Sequence, residues 1–179
     1  MNKVFIIVPS ASFDSPVKGA CALANGLLNF SSITFVTLKG NSDAFSLLNK
    51  RVEILDLGQY KNWYQKLRVF KKILIKNGTS KNITTISIGF SADLVNSMCC
   101  NLSLTCSSVR GDLPKVYKEK FGRIGKLIAY FHLKRLRKFN HVISMTKSMS
   151  LSIESYIGKK SPVIGNFICL LYTSDAADE

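Results

Sequence analysis

Val4-Phe5-Ile6-Ile7-Val8 is an unbroken apolar run that stops at Pro9 and Ser10. A strand with one face in water alternates apolar and polar residues. A run without alternation marks a strand covered on both faces, as in a parallel sheet packed between helices. The first strand of this chain is therefore expected at the centre of such a sheet.

The rest of the chain alternates in the same style. After a Ser-, Pro- and Gly-rich loop over 9–19, residues 20–28 read as a helix with Leu23, Leu27 and Leu28 on one face. Residues 33–38 predict a second strand, 44–48 a short helix, and 52–57 a third strand stopped by Gly58. Residues 61–76 carry Trp63, Leu67, Phe70, Ile73 and Leu74 at helical spacing with Lys and Arg opposite, and Asn77-Gly78 ends them. A fourth strand follows over 83–88, closed by Gly89, then a helix over 91–100 whose first turn suits Ser91 and Asp93. A fifth strand over 102–109 gives way to an irregular loop at 110–114. A basic helix is read over 123–138 with Ile124, Leu127, Ile128, Phe131 and Leu136 as its apolar stripe. A strand at 141–145, a helix at 148–156 and a short strand at 163–164 complete the pattern. Strands alternating with helices specify an α/β fold, a Rossmann-like, mostly parallel sheet flanked by helices and joined by right-handed crossovers.

Length and composition fit one globular unit. At 179 residues with 46% hydrophobic residues the chain can bury a full core. No segment reaches the roughly 20 apolar residues that cross a bilayer, and the run at 4–8 is too short for the core of a signal peptide. Export is not indicated, and a cytoplasmic location is expected. Cys21, Cys99, Cys100, Cys106 and Cys169 lack paired-ligand spacing and read as reduced thiols, with no metal or cofactor site among them.

Charge is unevenly placed. Residues 61–147 hold 18 basic and 3 acidic side chains, while residues 1–60 are nearly balanced. Such a field draws in anionic partners without choosing among nucleic acid, anionic lipid and phosphate-bearing substrates. A nucleic-acid-binding α/β module and a non-catalytic membrane-peripheral one are the alternatives this charge keeps open. No aromatic-lined RNA-binding motif, zinc pattern or helix-turn-helix supports the first.

In a parallel α/β sheet, ligands sit beyond the carboxyl ends of the strands, near the switch in strand order. The loops of interest are therefore 9–19, 89–91, 110–114 and 145–148. Arg110 leaves the fifth strand at that edge, and its planar fork suits phosphate or carboxylate, with an ion pair to Asp112 as the competing reading. Asp112 is the candidate general base toward an acceptor hydroxyl, or else a turn and capping residue. Gly89, Ser91, Thr146 and Lys147 flank the same edge as candidate substrate contacts, and helix capping competes for the hydroxyls. His132 and His141 fall away from these loops and are expected to pack or to face solvent.

Several segments, in their order and spacing, resemble a known family. They are Ser15-Pro16-Val17-Lys18-Gly19 after the first strand, Val52-Glu53-Ile54-Leu55-Asp56-Leu57, and Ser87-Ile88-Gly89-Phe90-Ser91-Ala92. Ser108-Val109-Arg110-Gly111-Asp112-Leu113, His141-Val142-Ile143-Ser144-Met145-Thr146-Lys147-Ser148-Met149 and Val163-Ile164-Gly165-Asn166-Phe167-Ile168 complete the set. Over residues 1–168 the chain resembles the N-terminal, acceptor-side half of bacterial family 4 glycosyltransferases of the GT-B fold. The resemblance implies transfer of a sugar from a nucleotide-sugar donor to a glycan or lipid-linked acceptor, without a bound metal or cofactor, in building surface polysaccharide or lipopolysaccharide. It implies a loop near the donor diphosphate, served here by Lys18 and the single Gly19 at a helix start, and a crossover at Asn166 into a donor-binding half. That half is expected after Ile168. Residues 169–179 read instead as a non-native tail, so this fragment is not expected to catalyse transfer alone. A lipid-linked acceptor would suit a peripheral position on the inner face of the plasma membrane, with the basic helices toward anionic lipid.

Overall fold

A computed structural model describes residues 2–78 and 80–165. Six strands, β1 (Lys3–Val8), β2 (Ser32–Thr37), β3 (Glu53–Asp56), β4 (Ile83–Ser87), β5 (Leu104–Val109) and β6 (His141–Ser144), form one sheet in the order β3-β2-β1-β4-β5-β6. Every pairing is parallel. Five helices connect them: α1 (Ser15–Leu27), α2 (Trp63–Asn77), α3 (Phe90–Ser97), α4 (Leu113–Leu136) and α5 (Lys147–Ile157). This is a Rossmann-like α/β fold. The chain leaves β1 in one direction for β2 and β3, then returns to place β4 on the other side of β1, so the switch in strand order lies between β1 and β4.

The first strand is central, as its composition requires. Val4, Ile6 and Val8 point to one face and pack with Val17, Ala20 and Ala24 of α1. Phe5 and Ile7 point to the other and pack with Phe70 and Leu74 of α2 and Val95 of α3. The Phe5 and Phe70 rings meet edge-on with centroids 5.9 Å apart. A third cluster joins Val109, Val142 and α5 to Leu133 and Leu136 of α4.

Three local expectations change. The short helix at 44–48 is a five-residue 3-10 turn, Asp43–Leu47. The strand at 163–164 is a single parallel bridge between Val163 and Ser144. The largest change is in α4, which begins at Leu113, ten residues before the expected start, and takes in the last two residues of the loop expected at 110–114. Asp112 caps it by accepting from the Lys115 amide, and Pro114 sits in the first turn, where its missing N–H costs nothing. The helix breaks at Gly122, whose φ of 57° and ψ of −134° are conformations open to glycine. The apolar stripe read from the sequence is buried only in part: Leu136 is fully buried and Ile128 half-buried. Ile124, Leu127 and Phe131 are 67%, 57% and 53% exposed. Gly125, Ala129, His132 and Leu133 face inward beside Leu136.

Candidate functional site

A cavity of about 280 Å³ opens beyond the carboxyl ends of β1, β4 and β5, at the switch point. Three elements supply its wall. Pro9 and Ser10 follow β1 and lead to Asp14, Pro16 and Val17 at the start of α1. Ile88, Gly89 and Phe90 follow β4 and open α3. Arg110 and Gly111 follow β5, and Leu113, Val116 and Tyr117 of α4 close the side.

Arg110 carries the most informative geometry. Its guanidinium lies over Gly19 of α1, where even a Cβ would overlap it. Its Nε is closed off from solvent and has no hydrogen-bond partner among the described residues. The ion pair with Asp112 weighed from the sequence is absent: among the described residues the close acid–base contacts are the Lys3–Glu53 ion pair and the His132–Asp93 hydrogen bond. Desolvation by burial lowers the pKa of Arg110 from its ordinary value.

Behind this wall lies a buried polar chain that sequence reasoning missed. Asp93 on α3 accepts from Ser87 Oγ at 2.6 Å and is joined to His132 Nε2 at 2.8 Å. His132 Nδ1 meets the Tyr117 hydroxyl at 2.8 Å. An ionised Asp93 accepts only, so its two partners donate to it. A neutral His132 then uses Nδ1 to accept the Tyr117 proton, and each group is satisfied. Burial and the nearby Asp93 carboxylate push the Tyr117 pKa up, so it stands at the cavity wall as a neutral phenol. Phe90 packs edge-on against both Tyr117 and His132.

Two expectations are corrected here. His132 was expected to pack or face solvent away from the ligand edge; it is buried, but it lines the cavity and is hydrogen-bonded on both ring nitrogens. Asp93 was expected to cap the first turn of α3, yet its carboxylate serves Ser87 and His132. The N-cap, Gly89, supplies no side-chain acceptor. The available signal was His132 at helical spacing from the small residues Gly125 and Ala129 on one face of α4.

Of the residues singled out in the sequence, Gly89 and Arg110 line the cavity, and Gly19 lies beneath Arg110. Lys18 is turned to Phe13, with its ammonium 4.8 Å from the ring centroid. Ser91 is half-buried in the first turn of α3. Thr146 caps α5 by accepting from the Met149 amide at 3.3 Å, and Lys147 is exposed beside it. Both stand beyond the edge strand β6, outside the cavity wall. Asp112 lines a separate groove of about 530 Å³ with Lys115, Lys118, Lys126, Tyr130 and Tyr156. Asn166 and the tail at 169–179 lie outside the described residues. Among the described residues no three His, Cys, Asp or Glu side chains gather as a metal site requires. No described helix is long and apolar enough to cross a membrane.

No protein-family model matches the chain. No curated protein matches it either. Among solved structures it is similar to apo UGT2 of Phytolacca americana, a glycosyltransferase of the GT-B fold, with a TM-score of 0.61 and 9% identity. The match covers 91% of this chain and 51% of that one, so the chain spans about half the length of this neighbour. At that identity the likeness is one of fold: the chain has the architecture of half a GT-B protein.

Proposed function

We propose that this chain is the acceptor-side half of a glycosyltransferase that moves a sugar from a nucleotide-sugar donor to a glycan or lipid-linked acceptor. The observation that carries this reading is the cavity at the β1/β4 switch point of a domain shaped like half of a GT-B protein. In such transfer the bond from the donor sugar to its diphosphate breaks, a bond to the acceptor oxygen forms, and the acceptor proton passes to a base. The cavity supplies the acceptor's place. Asp112, the base anticipated from the sequence, caps α4 beside it, and in this reading it orders the turn that carries Arg110.

The finer reading is a bacterial family 4 enzyme of surface polysaccharide or lipopolysaccharide synthesis, working at the inner face of the plasma membrane. Support for the membrane part comes from α4. Its sequence holds seven basic side chains against the single acidic Glu119. Ile124, Leu127, Tyr130 and Phe131 stand exposed among them. An apolar surface ringed by Lys and Arg is what an anionic bilayer attracts.

The deciding experiment is to express the uninterrupted natural reading frame and measure nucleoside diphosphate release from UDP-, GDP- and dTDP-sugars with and without lipid-linked acceptors. Acceptor-dependent release from one donor class is the expected result. Failure of every donor, or a following domain that binds no nucleotide sugar, would overturn the reading.

A further inference from the structure

We propose that the cavity beyond β1, β4 and β5 takes a compact apolar ligand bearing one acidic group, a carboxylate or a phosphate, and that Arg110 is the partner of that group.

A guanidinium nitrogen sealed from water calls for an acceptor, and a half-buried guanidinium favours an anion beside it. Arg110 has neither among the described residues, and its Nε is sealed from solvent. The two carboxylates in the same wall are engaged elsewhere. Asp14 caps α1 through the Val17 amide and accepts from Ser12, while Asp93 holds Ser87 and His132. Arg110 is thus a cation at a cavity wall with no counter-charge among the described residues.

A second feature favours an anion at the same place. Helix α3 starts at Gly89 with no side-chain cap, and Gly89 and Phe90 line the cavity, so the uncapped start of α3 borders it. Gly19 completes the arrangement by leaving room for the guanidinium against α1.

Shape and polarity restrict the remainder of the ligand. Apart from the groups above, the wall is mostly apolar, including Pro9, Pro16, Val17, Ile88, Val109 and Val116. About 280 Å³ is at the small end of ligand sites, which run from roughly 300 to 1,000 Å³. A ring or short chain with one acid fits; an entire nucleotide sugar does not. That this ligand is the sugar acceptor rests on the sugar-transfer reading, whereas its binding does not.

The test is titration of the 179-residue chain with phenyl phosphate, benzoate, phenol and inorganic phosphate, followed by calorimetry or amide NMR shifts. At least one of the two aryl acids should bind about tenfold or more tightly than both phenol and inorganic phosphate. The tighter of the two identifies the acid as phosphate or carboxylate. Arg110→Gln should abolish the preference over phenol. Gly19→Ala should weaken it as well, by displacing the guanidinium, while alanine's better helix propensity keeps α1 folded. This variant carries the test should Arg110→Gln fail to fold. Phenol binding as well as the acids, inorganic phosphate binding as well as phenyl phosphate, or aryl acid binding untouched by either variant would overturn the proposal. Absence of acid binding sinks this site and leaves the donor assay to judge sugar transfer. Acid binding beside a failed donor assay does the reverse.

Discussion

His132 on α4 and Asp93 on α3 are joined from Nε2 to Oδ2 at 2.8 Å, with both side chains only 2% exposed. The two residues lie 39 positions apart in sequence, and they fasten α4 to the strand–helix turn that walls the cavity. Removing one partner leaves the other buried and unsatisfied, which costs more than removing both. Asp93→Ala is expected to destabilise the chain by about 3 kcal/mol in urea unfolding. The Asp93→Ala/His132→Ala double variant should lose less than the sum of the singles. Strict additivity in that cycle would show that the two side chains are not coupled.

The break in α4 is a backbone matter. Gly122 occupies φ 57° and ψ −134°, with open space around its Cα, so a side chain there meets strain rather than a clash. Gly122→Ala should cost roughly 1–3 kcal/mol, read as a lowered urea midpoint with an unchanged slope. A variant as stable as the parent would mean that this residue adopts an ordinary helical conformation.

The outer face of α4 predicts membrane behaviour. The chain should sediment with vesicles containing anionic lipid and not with neutral phosphatidylcholine vesicles, and salt should release it. Lys118→Glu and Lys126→Glu should each weaken binding several-fold, at about 1 kcal/mol per basic residue near the surface. Leu127→Ser, at a position 57% exposed, should weaken it without lowering stability. Binding that ignores lipid charge, or a stronger salt-sensitive preference for nucleic acid, would remove the membrane role.

Three cysteines give a chemical probe of the core. Burial pushes the Cys21 thiol up to about 11, and those of Cys99 and Cys106 up to about 12, from an ordinary 9.0. Thiolate is the reactive form, so these three should resist a disulfide reagent at pH 8 until the chain unfolds. Because the folded values are raised, the unfolded chain sheds these protons first. Stability is then fully present below about pH 9 and declines as pH climbs toward 11–12. Rapid native-state labelling of Cys99 or Cys106, read by peptide mass, would contradict their burial.

Much of the architecture was legible because it follows from local composition. Five apolar residues in a row require cover on two faces, and β1 lies centrally with Val4 and Phe5 serving opposite cores. The spacing of Phe70 and Leu74 named the buried face of α2 correctly. Arg110 was legible as a ligand-edge residue because strand direction in a parallel sheet fixes which loops share an edge.

What the tertiary structure alone decided was which polar groups meet. The pairing of Asp93 with His132 gives no signal along the chain, because it depends on how α4 lies across α3. The inner face of α4 is likewise set by packing: a Cβ at Gly125 would overlap the Tyr117 carbonyl, and Ala129, His132 and Leu133 share that face. Periodicity determines that a helix has an inner face. Only packing determines which face that is, and whether a half-buried cation such as Arg110 finds a counter-charge among the described residues.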